Sequence, residues 1–270
     1  MGNDWLLVFF TAFAVLGTGL AAAAAAGESR TCPLGVQAGA AAAALICLSA
    51  GGVLCVMHLG RPELIFGALG HPSTGIFREF VTFALTAVLI VLYLAALLRG
   101  AEARTTLALS GAAAVASLLL SASIGSAFVM PWRPAWNTWT LVLPYLGWTA
   151  VSAAFARSVL LACAGEPDDG GTVCRAGSAL LLVLLTAVYI AAATFSGGWE
   201  AVGGRLLTGD LAMPFWGSVL IGMALPLGIA FVRAPRTAGI AGLAAAFAGS
   251  ALFQWTVQLL GTPVWHFFRQ

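Results

Sequence analysis

The sequence predicts an all-α membrane protein, an eight-transmembrane-helix bundle with both termini on the same, outer side. Two observations fix the class. Hydrophobic residues make up 61% of the 270 and charged residues only 8%, which leaves too little polar surface for a soluble domain. Apolar runs long enough to cross about 30 Å of hydrocarbon recur near residues 5–26, 34–57, 76–98, 105–130, 138–162, 173–195, 212–232 and 237–260. The chain, 1–270, therefore reads as a single integral membrane domain.

Each run has its own justification. The first begins Met1-Gly2-Asn3-Asp4, with an acid and no basic stretch, so it reads as a retained span and not a cleaved signal. The second closes on His58-Leu59-Gly60-Arg61-Pro62-Glu63-Leu64, and the third opens with Phe77-Arg78-Glu79-Phe80. A segment rich in Pro and Trp, Met130 to Trp139, separates the fourth from the fifth. An acidic connector, 163–172, leads into the sixth, and Pro214-Phe215-Trp216-Gly217 opens the seventh with a tryptophan at belt depth. The eighth carries Gln254 as the notable mid-span polar group, for which an interhelical hydrogen bond is expected.

Every basic side chain is arginine, a mark of genome composition and not of chemistry. An even helix count places Arg61, Arg78, Arg133, Arg205 and Arg269 on the side of the termini and Arg30, Arg99, Arg104, Arg157, Arg175, Arg233 and Arg236 on the other. The larger set sits in short loops, where the positive-inside rule applies best, so the termini are expected outside. The loops also differ in kind. Segments 58–75, 131–137 and 196–211 hold Gly, Pro, Trp and charge on one face, whereas 27–33, 99–104 and 233–236 read as plain connectors.

Several chemistries are disfavoured. The five cysteines form no CxxC pair and no four-cysteine set, so no iron–sulfur cluster is expected in this chain. A bis-histidine haem needs imidazoles on facing helices within the bilayer, yet His58, His71 and His266 all fall at or beyond helix ends. No metal site is expected. No Asp, Glu or Arg stands at the middle of a run, and neither inverted repeats nor broken helices are evident, which counts against a pump or transporter.

What remains is the polar cluster at the end of the second run. Charged groups at a membrane edge are kept where they pair or work, which makes the cluster a candidate site. Its motifs, in order, are Met1-Gly2-Asn3-Asp4-Trp5, His58-Leu59-Gly60-Arg61-Pro62 continuing to Phe66-Gly67-Ala68-Leu69, Phe77-Arg78-Glu79-Phe80, and Met130-Pro131-Trp132-Arg133-Pro134-Ala135-Trp136-Asn137-Thr138-Trp139. As an ordered set they resemble the dimethyl sulfoxide reductase membrane-anchor family, over essentially the whole chain. The resemblance implies an anchor in the cytoplasmic membrane that oxidises menaquinol and passes electrons to a ferredoxin-like iron–sulfur subunit of a molybdopterin oxidoreductase. The soluble partners would lie on the outer face. A related alternative is a quinone-interacting anchor of the polysulfide or nitrite reductase type. Lipid and quinol are the other expected contacts, and nucleic acid is not one. In the family the histidine of the HLG motif and the acid opening the third helix are tied to quinol, and these match His58 and Glu79. The family's Gly-Arg-x-x-Phe-Tyr run in the last helix is replaced here by Gly249-Ser250-Ala251-Leu252-Phe253-Gln254-Trp255.

The chemistry of the side chains agrees. Oxidising a quinol needs an acceptor for its hydroxyl proton, and an ordinary imidazole titrates near neutrality, so His58 is the candidate base. Glu79 has competing readings: it orients the imidazole, takes a second proton, or pairs with Arg78 or Arg61 near a helix start. Gly60, Arg61 and Arg78 complete the candidate quinol set, with Arg78 favoured over Arg61 because it adjoins Glu79; exposed outer arginines are the plain alternative. Arg133, Pro134, Trp136 and Asn137 form a candidate partner interface on a segment stiffened by Pro131 and Pro134. The aromatic belt at the membrane edge is the competing reading of those tryptophans.

Overall fold

The computed structural model describes residues 4–28, 32–59, 67 and 70–261. Eight helices in it are long and apolar enough to cross a membrane. They are α1 (Asp4–Glu28), α2 (Leu34–His58), α3 (Gly75–Leu98), α4 (Ala103–Ala127), α5 (Val142–Ala164), α6 (Gly171–Gly197), α7 (Ala212–Ile229) and α8 (Pro235–Leu260). No strand occurs among the described residues. In an even, up-and-down bundle the ends split into a terminal face, where α1 begins and α8 ends, and an opposite face.

Helix α1 runs through the middle, touching α2, α4, α5 and α8, while α3 packs on α2 and α4, α6 on α5, and α7 on α8. Lipid gives helices no hydrophobic reason to associate, so close approach through small residues has to supply the attraction. A Cβ on Gly19 of α1 would overlap Ser152 of α5, and one on Gly222 of α7 would lie 2.6 Å from Gly249 Cα of α8. Buried hydroxyls add cross-ties between three helices: Thr18 of α1 and Ser121 of α4 lie 3.1 and 2.6 Å from the Thr149 hydroxyl of α5. The expected bond of Gln254 is present, its Oε1 accepting from the Tyr145 hydroxyl of α5 at 2.5 Å.

Helix α7 departs from a regular span. Its middle, Leu220–Ala224, is a π turn, followed at once by Pro226. A proline ring presses on the carbonyl four residues earlier, here that of Gly222, and a widened turn relieves the clash. The same turn carries the glycine that meets α8.

The connector 163–172 is not a plain loop. Asp168 accepts from Arg157 Nη1 at 2.7 Å, from Arg175 Nη1 at 2.6 Å and from Ser158 Oγ at 2.8 Å. Arg175 is buried, and it also donates to the Ala230 carbonyl just past α7 from Nε (3.3 Å) and Nη2 (3.1 Å). One loop carboxylate thus joins α5, α6 and the end of α7. Glu28 does similar work at the same face, accepting from Tyr93 at 2.6 Å and Thr106 at 3.1 Å, which ties α1 to α3 and α4.

Candidate cavity at the terminal face

A cavity of about 490 Å³ opens between α1, α2 and α3 near the terminal face. Its wall is built by helical spacing. Ile76, Glu79, Phe80 and Phe83 of α3 recur at three and four residues, so they share one side of that helix. Helix α2 supplies Ser49, Gly52, Val53, Cys55 and Val56, and α1 supplies Phe10. Gly52 keeps the wall open, since a Cβ there would lie 3.1 Å from the Phe83 ring. Among the described residues the lining is apolar and aromatic apart from Ser49, Cys55 and Glu79, and Glu79 is the one carboxylate among them. Such a chamber, within the roughly 300–1,000 Å³ usual for small-molecule sites, suits a flat hydrophobic ligand with a polar edge.

The backbone of α3 explains how Glu79 comes to stand there. Thr74 caps the helix, its hydroxyl accepting from Phe77 N at 3.2 Å and donating to the His71 carbonyl at 2.9 Å. Gly75 then packs directly on α4, a Cβ at that position falling 2.8 Å from Ala127 Cα. Glu79 follows one turn into the helix, half-buried, with the positive end of the helix beneath it.

His58 is the last residue of α2 and is half-buried. Its neighbours Met57 and Leu59 both line the cavity, whereas its own side chain is not among the described lining residues. Gly60 and Arg61 lie outside the described residues, as does His266. Arg78 departs from its expected place. It is exposed, its guanidinium lies 5.9 Å from the centre of the Trp139 ring, and it does not line the cavity. The reason is the helical period: Ile76, Glu79, Phe80 and Phe83 centre the cavity side of α3 between Glu79 and Phe80, and at about 100° per residue Arg78 falls on the far side of the helix.

The proposed partner surface also needs correction. Trp136 is only 6% exposed and donates from Nε1 to the Val257 carbonyl at 2.9 Å. Arg133 lies over the Trp136 ring, 4.5 Å from its centre, and donates to the Gly261 carbonyl. Both therefore tie this segment to carbonyls at the C-terminal end of α8, that of Val257 also accepting from Gly261 N at 3.1 Å. Pro134 and Asn137 are exposed, and the tryptophans that face outward on this segment are Trp132 (75%) and Trp139 (64%).

Phe10, Cys55 and Phe83 of the cavity are not among the residues singled out by sequence, although the Ile76, Glu79, Phe80, Phe83 spacing was a usable signal. All five cysteines are free. No group of three or more His, Cys, Asp or Glu positioned to hold a metal occurs among the described residues. Compared with known proteins, the chain matches no family model and no curated relative.

Proposed function

We propose that this chain is the menaquinol-oxidising membrane anchor of a molybdopterin oxidoreductase complex, passing electrons to an iron–sulfur subunit docked on the terminal face. The observation that carries the reading is the aromatic cavity at the end of α2 with the Glu79 carboxylate in its wall. Phe80 and Phe83 offer ring faces to a naphthoquinol head, and the apolar stretch of α2 offers a path for its tail.

Two electrons and two protons leave a quinol as it becomes a quinone. In this mechanism Glu79 begins as a carboxylate and accepts one hydroxyl proton, while His58, at the adjoining helix end, takes the other. The electrons go to the partner's iron–sulfur cluster. Trp132, Trp139 and Asn137 provide rigid exposed area on the same face for that partner. The complex would sit in the cytoplasmic membrane with its soluble subunits outside, and its terminal acceptor would be set by the catalytic subunit.

Glu79→Gln keeps the shape of the wall and removes the acceptor. Quinol-dependent turnover of the assembled complex should fall by about 10²-fold or more, as expected for loss of a general base. Activity with a soluble artificial donor, which bypasses the anchor, should stay intact. His58→Ala should behave in the same direction. Full quinol oxidation by both variants would refute the assignment.

A further inference from the structure

A second cavity, of about 390 Å³, lies at the opposite face between α1, α2, α5 and α8. Its deepest lining residues are Leu20, Ala43, Ala156 and Leu243, each eight or nine residues from the opposite-face end of its helix. At 1.5 Å per residue that is about 12 Å of depth on all four helices. Gly35 and Cys163, in the outermost turns of α2 and α5, line the mouth. The cavity is therefore a groove along the helix axes. It starts at the membrane edge and runs through most of one leaflet, whose hydrocarbon is half of about 30 Å.

Shape and charge select the occupant. About 390 Å³ spread over about 12 Å of depth leaves a mean section of roughly 30 Å², whereas a helix with its side chains, about 10 Å across, needs roughly 80 Å². A helix of a second copy is too thick for it, and an alkyl chain is not. Gly35 and Gly39 are exposed, and a Cβ at either would meet nothing within 4 Å, so the α2 side of the groove is open to lipid. At the mouth, Arg236 stands seven residues before Leu243 and hence on the same side of α8, two turns nearer the edge. It is exposed, as is Arg233, and no acid occurs in the sequence after Asp210, so the α8 rim carries only positive charge. The α2 rim is the positive end of a 25-residue helix. Such an edge attracts an anionic headgroup.

We propose that this groove binds an anionic phospholipid of the leaflet at the opposite face, one acyl chain lying between α2 and α5 over α1 and the phosphate resting at Arg236. The site is separate from the cavity that holds Glu79 and does not depend on the quinol-oxidising reading. Its chain half is apolar burial, and its headgroup half is a charge contact at the membrane edge.

Cys163 lines the groove and reports its occupancy, while Cys174, exposed on α6 and absent from the lining, is the internal control. The whole purified protein in dodecyl maltoside is alkylated with a maleimide, with and without dioleoyl phosphatidylglycerol or dioleoyl phosphatidylcholine, and both thiols are followed by mass spectrometry. Phosphatidylglycerol should slow Cys163 several-fold and leave Cys174 unchanged, and phosphatidylcholine should protect less. Gly39→Leu, which fills open space in the groove, should remove the protection with the circular dichroism spectrum unchanged, and Gly35→Leu should do the same nearer the mouth. Arg236→Gln should bring protection by phosphatidylglycerol down to the phosphatidylcholine level. A Cys163 rate indifferent to phosphatidylglycerol, or full protection in both groove-filling variants, would overturn the proposal. Equal protection of the unaltered protein by the two lipids would overturn the anionic headgroup. Protection that followed protein concentration and not lipid would give the groove to a second copy of the chain and overturn the lipid site.

Discussion

Asp168→Ala is the perturbation whose cost can be worked most directly. The carboxylate holds two guanidinium groups and a hydroxyl, with Arg175 and Asp168 side chains 4% and 7% exposed and Arg157 15% exposed. Removing it leaves the Arg175 cation in the interior with only the Ser158 hydroxyl and neutral acceptors such as the Ala230 carbonyl. Breaking a buried pair from one side costs about 3–5 kcal/mol, most of it the stranded charge. Arg157, closer to solvent, adds about 1 kcal/mol or less. Unfolding titrations in mixed detergent micelles, followed by circular dichroism, should register a loss in that range. Arg175→Met in the Asp168→Ala background should recover part of it, because the stranded cation is then gone, so the two substitutions should be coupled by about 0.5–3 kcal/mol. A single variant within about 1 kcal/mol of wild type, or strict additivity, would refute the reasoning.

Other outcomes follow from the same geometry. Gly249→Val should force α7 and α8 apart and lower stability by about 1–3 kcal/mol or more, measured in the same titration, because a Cβ there overlaps Gly222; an unchanged midpoint would contradict the close crossing. Cys163 and Cys174 are exposed at the opposite face. With the termini outside, a membrane-impermeant thiol reagent should spare them in intact cells, modify them after lysis, and reach a Thr208→Cys reporter in both; the reverse pattern would invert the orientation. Arg205 donates to Asp210 at 3.0 and 2.9 Å, and this bonding holds the Asp210 carboxyl below its ordinary value. A lowered folded value means stability that is present above the unfolded value and lost as pH falls through the folded one. Asp210 is largely exposed, so Asp210→Asn should cost no more than about 1 kcal/mol at neutral pH. That difference should fade below about pH 4, and a difference persisting in acid would be contrary to the pairing.

The bundle was legible because lipid imposes a single, long, apolar period, which eight runs satisfy. The π turn of α7 was not, since Pro226 in an apolar run announces a distortion without saying which kind. At the candidate site, Glu79 stood out because it matches the acid opening the third helix in the ordered motif set that carries the family resemblance. Arg78, its neighbour in sequence, is not its neighbour in space, and adjacency along a helix was the wrong measure. Trp136 failed for a related reason: a tryptophan in a loop looks like interface until its indole finds the Val257 carbonyl. Asp168 lay in a connector with no periodic pattern, and nothing local reveals that two arginines from different helices converge on it.

The two faces of the bundle divide the ionic work between them. At the opposite face, Glu28 and Asp168 are committed to ties that hold six helices in register, and Arg157 and Arg175 are spent on Asp168. At the middle, the Thr18, Ser121 and Thr149 hydroxyls bond to one another and carry no charge. At the terminal face Glu79 faces a cavity, and no ion pair involving it occurs among the described residues. On the proposed reading, a proton taken from quinol in that cavity would leave on its own side. Electrons handed to a partner on the same face would travel with it, so the chemistry proposed here moves no net charge across the bilayer through this chain.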